Sequence, residues 1–174
     1  VRPNDPQFSM LSPTVTGINF VNNIEENGRL NHYTWQSLYN GGGVSIGDLD
    51  GDDLPDIFFT GNVTDDRLYR NKGNFKFEDI NTTAGLQGFR GWSFGSTMVD
   101  INADGHLDIY VCRSGPFRAN EPGKRQNKLY INDGSGKFSE EAAKYGLNHD
   151  GYSMHAAFFD YDLDGDLDMY LVNQ

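Results

Sequence analysis

Asp160-Tyr161-Asp162-Leu163-Asp164-Gly165-Asp166-Leu167-Asp168 sets carboxylates at alternate positions of a short, glycine-containing stretch. Asp48-Leu49-Asp50-Gly51-Asp52-Asp53-Leu54-Pro55-Asp56 and Asp100-Ile101-Asn102-Ala103-Asp104-Gly105-His106-Leu107-Asp108 repeat it. Side-chain oxygens at positions 1, 3 and 5 of a tight loop, followed by a backbone carbonyl at 7, suit a hard cation such as Ca²⁺, which takes about six to eight oxygen ligands. Here position 9 adds a further carboxylate. Acidic turns with glycine also form good loops without any metal. Three copies, each with Asp or Asn at positions 1, 3, 5 and 9, favour the metal. An EF-hand is excluded because its bidentate Glu at position 12 is replaced by Phe59, Val111 and Leu171. Glycine-rich nonapeptide calcium repeats are absent, and the single cysteine, Cys112, excludes cysteine-braced ones.

The loops lie between apolar runs that read as strands. Gly43–Gly47 enters the first loop and Ile57–Thr60 leaves it; Arg67–Asn71 and Phe75–Glu78 complete a unit of four strands. Ser93–Val99, Ile109–Cys112, Lys128–Asn132 and Lys137–Ser139 repeat the order, and Met154–Phe159 with Met169–Val172 begin it a third time. The loops start 52 and 60 residues apart, with the longer spacing explained by a Pro-, Gly- and cation-rich insertion at 113–127. Four short strands per unit at this period indicate an all-β chain built as β-propeller blades. Both faces of a blade pack on neighbours, which suits Phe58, Phe59, Phe158 and Phe159. The expected division is an N-terminal segment, 1–40, and blades at 41–90, 91–150 and 151–174, the last incomplete. Within the first segment, 8–18 shares a cadence with 77–86 and 138–147 and is expected to be the closing strand of another blade. Residues 24–40 show no period and are expected to connect.

The chain has 174 residues, a formal net charge of −11 and a pI near 4.6. Eleven Asp lie at loop ligand positions, and three Ca²⁺ would bring the net charge to −5. So acidic a chain is a poor general binder of nucleic acid. Cys112 sits in an apolar strand and is expected to be buried and inert. There is no run long enough for a transmembrane segment and no signal peptide. A start at Val1 and an end just after a strand suggest a piece of something longer.

Phe94-Gly95 ahead of an acidic loop resembles the FG-GAP repeat of integrin α-chain propellers. Gly41–Asp48, Leu68–Gly73 and Ala156–Asp162 are similar to VCBS/FG-GAP-like surface proteins of Bacteroidota, related to the ASPIC/UnbV (cartilage acidic protein) group. The resemblance implies a propeller of about seven blades, of which about two and a half are present, with up to three Ca²⁺. By position the ligands are Asp48, Asp50, Asp52 and Asp56; Asp100, Asn102, Asp104 and Asp108; and Asp160, Asp162, Asp164 and Asp168, with backbone carbonyls from Leu54, His106 and Asp166. Asp53 departs from the pattern at a position where Gly105 and Gly165 suit a left-handed backbone, and Asn102 lowers the charge of the second site.

The expected function is a non-enzymatic, calcium-stabilised cell-surface scaffold recognising protein or glycan, extracellular or at the outer-membrane surface. The rest of the propeller or another chain covers the open blade edges. Residues 113–128 form a basic island that offers a docking site for an acidic partner or glycan. The alternative is the propeller portion of a polysaccharide lyase or hydrolase, but His32, His106, His149 and His155 form no recognisable catalytic set. A lectin reading rests on Trp35 or Trp92 stacking on sugars. Asn62-Val63-Thr64 and Asn81-Thr82-Thr83 have the pattern of glycosylation sequons.

Overall fold

Alternation within each short strand puts successive side chains on opposite faces, and in this chain both faces find apolar partners. The structure, a computed structural model, describes residues 8–87, 91–116, 121 and 123–174. Strands β1 (Val44–Gly47), β2 (Asp56–Phe59), β3 (Arg67–Asn71) and β4 (Phe77–Asp79) form one antiparallel sheet in chain order. Strands β5 (Trp92–Val99), β6 (Asp108–Ser114), β7 (Lys128–Asn132) and β8 (Phe138–Glu140) form a second in the same order. Strands β9 (Ser153–Phe159) and β10 (Asp168–Asn173) pair as a two-stranded sheet. The registers repeat: Ile57 faces Tyr69 and Asn71 faces Phe77, as Ile109 faces Tyr130 and Asn132 faces Phe138. The chain is thus all-β and built of blade-like sheets that do not close on themselves.

β6 carries the packing argument, since all seven of its residues are buried. Ile109 and Val111 join Leu49, Phe58, Leu68 and Ile80 of the first sheet. Tyr110 and Cys112 face the other way, into a cluster with Leu129, Ala142 and Ala156 and, at its edge, Phe158. One strand therefore fills two interfaces, which is why its central Ile109–Cys112 is a continuous apolar run rather than an alternating one. Burial also pushes the Cys112 thiol up to about 12, so it stays protonated and unreactive.

Entry strands approach one another backbone to backbone. A side chain at Gly43 would meet the Phe94 carbonyl at 2.6 Å, and one at Gly95 would meet the Met154 carbonyl at 2.6 Å. The Phe-Gly pair therefore has a physical reading: Phe94 is buried against Leu38 and Trp92, while Gly95 admits the next sheet. Polar ties cross the same interfaces. Ser45 and Ser96 hydroxyls share a hydrogen bond of 2.9 Å, Asn132 Nδ2 donates to the Leu49 carbonyl at 2.8 Å, and Thr97 Oγ1 donates to the Ala156 carbonyl at 2.7 Å.

Three expectations need correcting. Residues 8–18 contain no strand; Pro13–Thr16 form a one-turn helix, α1, ended by Gly17 at φ 81°. The shared cadence reports that turn, because Gly85 and Gly146 end the equivalent turns after β4 and β8 at φ 80° and 69°. Phe75 belongs to the turn before β4, with Asn74 and Phe75 at φ 51° and 57°. Among the four phenylalanines only Phe58 is fully buried; Phe159 is 44% exposed and meets Tyr161 edge-on, and Phe59 is half-buried against Phe20. Residues 24–40 do connect, but they also bury Leu38 and bring Ile24, Leu30 and Trp35 against Trp92 and Phe94. Among the described residues no helix is long and apolar enough to cross a membrane.

Asp66, in the loop joining β2 and β3, is buried where it accepts hydrogen bonds from the Gly61 N–H (2.8 Å) and the Ser93 hydroxyl (3.2 Å). Burial pushes its carboxyl up to about 6 against the opposing pull of those donors and of the nearby Arg113. A folded-state pKa above the unfolded one means that the folded chain holds the proton more tightly. That stabilisation is fully present below pH ~4 and is lost as pH rises through about 6. Asp66→Asn, compared with wild type by urea denaturation at pH 4.5 and 7.0, is expected to shrink the pH dependence of stability by on the order of 2 kcal/mol. An unchanged difference between the two pH values would contradict this role.

Candidate metal centres

Each acidic stretch joins the first two strands of its sheet, β1 to β2, β5 to β6 and β9 to β10. The loop is wound around its first Asp. Asp48 accepts N–H groups of Gly51 (2.8 Å), Asp52 (3.2 Å) and Asp53 (2.9 Å). Asp100 accepts those of Asp104 (3.1 Å) and Gly105 (2.9 Å), and Asp160 those of Asp164 (3.2 Å) and Gly165 (3.1 Å). Position 5 accepts from position 7: Asp52 from Leu54, Asp104 from His106, Asp164 from Asp166. Partial burial works to raise the Asp48 pKa, but backbone donors led by Asp53 and Gly51 outweigh it and hold it below the usual carboxylate range. Asp104 is held low by the His106 N–H and the Asn102 amide.

This winding needs left-handed backbone at two positions. Position 6 has it at Asp53 (φ 64°), Gly105 (89°) and Gly165 (95°), and position 4 at Gly51 (75°), Ala103 (58°) and Leu163 (62°). Position 6 is legible from the glycines. Position 4 is not, because Ala103 and Leu163 give no sign of it and adopt a strained conformation. Leu163 is 87% exposed and contributes little packing. Leu163→Gly is therefore expected to stabilise the chain by about 1 kcal/mol, read as a higher urea midpoint; a loss of stability would contradict the strain.

In the first loop the carboxylate oxygens of Asp48, Asp50 and Asp52 converge within 4.8 Å of one another, and in the third those of Asp160, Asp162 and Asp168 do. These two clusters can hold a metal ion. One atom of the first loop fits a cation. Asp50 Oδ1 is buried and has no hydrogen-bond partner, and the other Asp50 oxygen is 2.9 Å from Arg70 Nε. That contact is poorly aligned for a hydrogen bond, so it is an ion pair that partly offsets the crowded charge. In the second loop Asn102 turns its amide nitrogen to Asp104 (2.8 Å) and its oxygen to the Asp104 N–H (3.1 Å), which ties two candidate ligands to each other. In the third, Asp166, whose carbonyl rather than side chain is the expected ligand, is pushed up by the charge of Asp164 and by its hydrogen bond, with Asp168 and Asp162 adding.

Position 9 plays a part that spacing does not disclose. Asp56 and Asp108 are 1% and 0% exposed. Asp56 accepts the Leu49 N–H (3.1 Å) and the Asn71 N–H (2.8 Å), and Asp108 accepts those of Ile101 (3.1 Å) and Asn132 (2.8 Å). Each carboxylate thus pins its loop to the third strand. Burial raises both pKa values, partly opposed by those N–H donors and reinforced by the loop's other carboxylates. Asp168 accepts the Tyr161 N–H (2.8 Å) in the same way.

Two regions of the chain match a family model for the FG-GAP-like repeat, residues 48–111 and 117–171. The chain belongs to the FG-GAP-like repeat family. Its first match starts at the first position of the first acidic loop. Cartilage acidic protein 1 of Mus musculus is 31% identical over 137 residues, 78% of this chain and 20% of that protein. The protein of the same name in Xenopus tropicalis is 31% identical over 103 residues, 59% of this chain and 15% of that protein. The chain spans about a fifth or less of these curated relatives.

Other expected binding features take structural roles. In the basic island, Phe117, Arg118, Ala119, Asn120 and Pro122 lie outside the described residues. Of the rest, Arg113 is buried, Arg125 pairs with Asp150 (3.6 Å) and lies over the Tyr152 ring, and Lys128 pairs with Glu140 (3.4 Å). Trp92 is 2% exposed, so it presents no ring face for a sugar, and the half-buried Trp35 stacks on Tyr152 and meets Trp92 edge-on. Asn62 and Asn81 are buried and hydrogen-bonded to backbone, which makes both sequons fold determinants in this structure. His106 lies against the turn at Gly134.

Proposed function

We propose that the chain is a calcium-binding FG-GAP propeller module whose ions brace the hairpins between first and second strands. The observation that carries this is the convergence of Asp48, Asp50 and Asp52 around a buried Asp50 oxygen with no hydrogen-bond partner. The ligand sets are Asp48, Asp50, Asp52, the Leu54 carbonyl and Asp56; Asp100, Asn102, Asp104, the His106 carbonyl and Asp108; and Asp160, Asp162, Asp164, the Asp166 carbonyl and Asp168. Calcium neutralises carboxylates that repel one another in the folded chain, and binding to the folded state alone stabilises it by mass action. The Asn102 amide makes the second site the weakest.

The module serves as a non-enzymatic recognition scaffold at a cell surface or outside the cell, where millimolar calcium fills such loops. β10 offers the edge that β2 and β6 use to pair β3 and β7, and the remaining strands of the propeller cover it. The enzyme reading has no support from the histidines, which lie apart in sequence and in role. Thermal melting in excess chelator, in Mg²⁺ and in Ca²⁺, with a polysaccharide panel assayed for cleavage alongside, tests the assignment. A melting temperature raised by Ca²⁺ over Mg²⁺ with no cleavage supports it; equal effects of the two ions, or cleavage products, overturn it.

A further inference from the structure

The end of the sheets opposite the acidic loops holds a cavity of about 430 Å³, a size common for small-molecule sites. Leu30, Val63, Trp92 and Pro116 give it apolar walls, and Arg29 and Lys124 bring two cations to it from separate segments. Among the described residues no carboxylate lines it. Neither cation has an ion-pair partner among the described residues, although the chain carries −11 overall. Two cations at one apolar cavity, in so acidic a protein, make a local positive field that no ion pair among the described residues answers.

Trp92 also forms part of the wall. Trp92 is 2% exposed, and its indole Nε1 is buried with no hydrogen-bond partner. The Trp92 ring meets Trp35 edge-on at 6.2 Å, which holds its orientation. A buried N–H without an acceptor costs roughly 1–3 kcal/mol, a cost that a ligand oxygen removes. Asn62 is already engaged, donating to the Gly41 and Ser93 carbonyls and accepting from Asn22, so it offers little to a polyhydroxylated ligand. At Gly91 a side chain would meet the Arg113 guanidinium at 2.8 Å, which puts that buried cation close behind the wall.

We propose that this cavity binds an organic carboxylate with a compact apolar body. The body fills the space among Leu30, Val63 and Pro116, while the carboxylate is neutralised by Arg29 and Lys124 and accepts the Trp92 indole N–H. A bare inorganic anion leaves the apolar walls wet, and a sugar acid leaves its hydroxyls without partners. The site is independent of the calcium assignment, because no acidic-loop residue lines it.

The test is a ¹H–¹⁵N NMR titration of the 174-residue chain in calcium-containing buffer with N-acetylphenylalanine. Its carboxamide, glucuronate and inorganic phosphate are titrated in parallel. Saturable shifts are expected at the Trp92 indole N–H and the Val63 and Gly91 amides, at least tenfold weaker for the carboxamide. Arg29 and Lys124 are exposed, so Arg29→Ala and Lys124→Ala leave the melting temperature unchanged and each weaken binding severalfold. Trp92→Phe keeps a ring and removes the donor, and it weakens binding of the carboxylate severalfold. Four results overturn the proposal: no saturable shift at a Kd below about 1 mM, equal binding of acid and amide, a preference for glucuronate or phosphate, or shifts confined to another surface.

Discussion

Asp108→Ala is expected to destabilise the chain by about 3 kcal/mol, even in the presence of chelator. The wild-type carboxylate is 0% exposed and accepts two backbone N–H groups, from Ile101 at one end of the loop and Asn132 on β7. Alanine leaves both donors buried and unpaired, at roughly 1–3 kcal/mol each. Part of that loss is offset, because burial and the neighbouring Asp104 and Asp100 already make the charged form costly. Asp104→Ala is the comparison: Asp104 is exposed, and its loss removes two loop contacts, from the His106 N–H and the Asn102 amide, whose donors water can satisfy. Urea denaturation of both variants in excess chelator is therefore expected to separate them by at least about 1 kcal/mol. If the two cost the same, position 9 acts only through metal and the hub is wrong.

Gly95→Ala is expected to cost about 2 kcal/mol, concentrated at the boundary between the second sheet and the β9–β10 pair. The new Cβ would sit 2.6 Å from the Met154 carbonyl and 2.5 Å from His155 Nδ1. The histidine ring can swing away, since it is exposed, but the carbonyl belongs to β9 and moves only with the strand. The effect is therefore directional. Amide exchange is expected to quicken in β9 and β10 while β1 to β4 keep their protection. Gly28→Ala is the control, because nothing lies within 4 Å of a side chain there. Uniform loss of protection across all three sheets, or no loss, would contradict inter-sheet packing through Gly95.

These two residues mark how far the sequence could be read. The strand order, the hairpin position of the acidic loops and the limits of Lys128–Asn132 follow from alternation and turn residues, which are local signals. Asp108 was legible as a candidate ligand but not as a tie between loop and third strand, since its second donor, Asn132, lies far along the chain. The recurring Asn of Leu-Tyr-x-Asn was a usable signal for it. Residues 8–18 were misread because a shared cadence identifies equivalent positions without saying whether a strand has a partner; the turn at Pro13–Thr16 forms locally, and a strand requires pairing. Leu163 hid its left-handed backbone, because the winding of the loop around Asp160 overrides its local preference. Part of the basic island was misread for a similar reason: Asp150 and Glu140, which pair with Arg125 and Lys128, lie outside the run.

The most direct test of the central claim is calorimetric titration of Ca²⁺ into chelator-stripped chain, with melting measured on the same samples. The account predicts close to three ions bound per chain, the second site weakest, with each site adding about 2.7 kcal/mol of stabilisation at a free calcium concentration one hundred times its own dissociation constant. Absence of binding at millimolar calcium, or binding that leaves the melting temperature unchanged, would mean that the three acidic loops are turns held by their own backbone, and the metal assignment would fail.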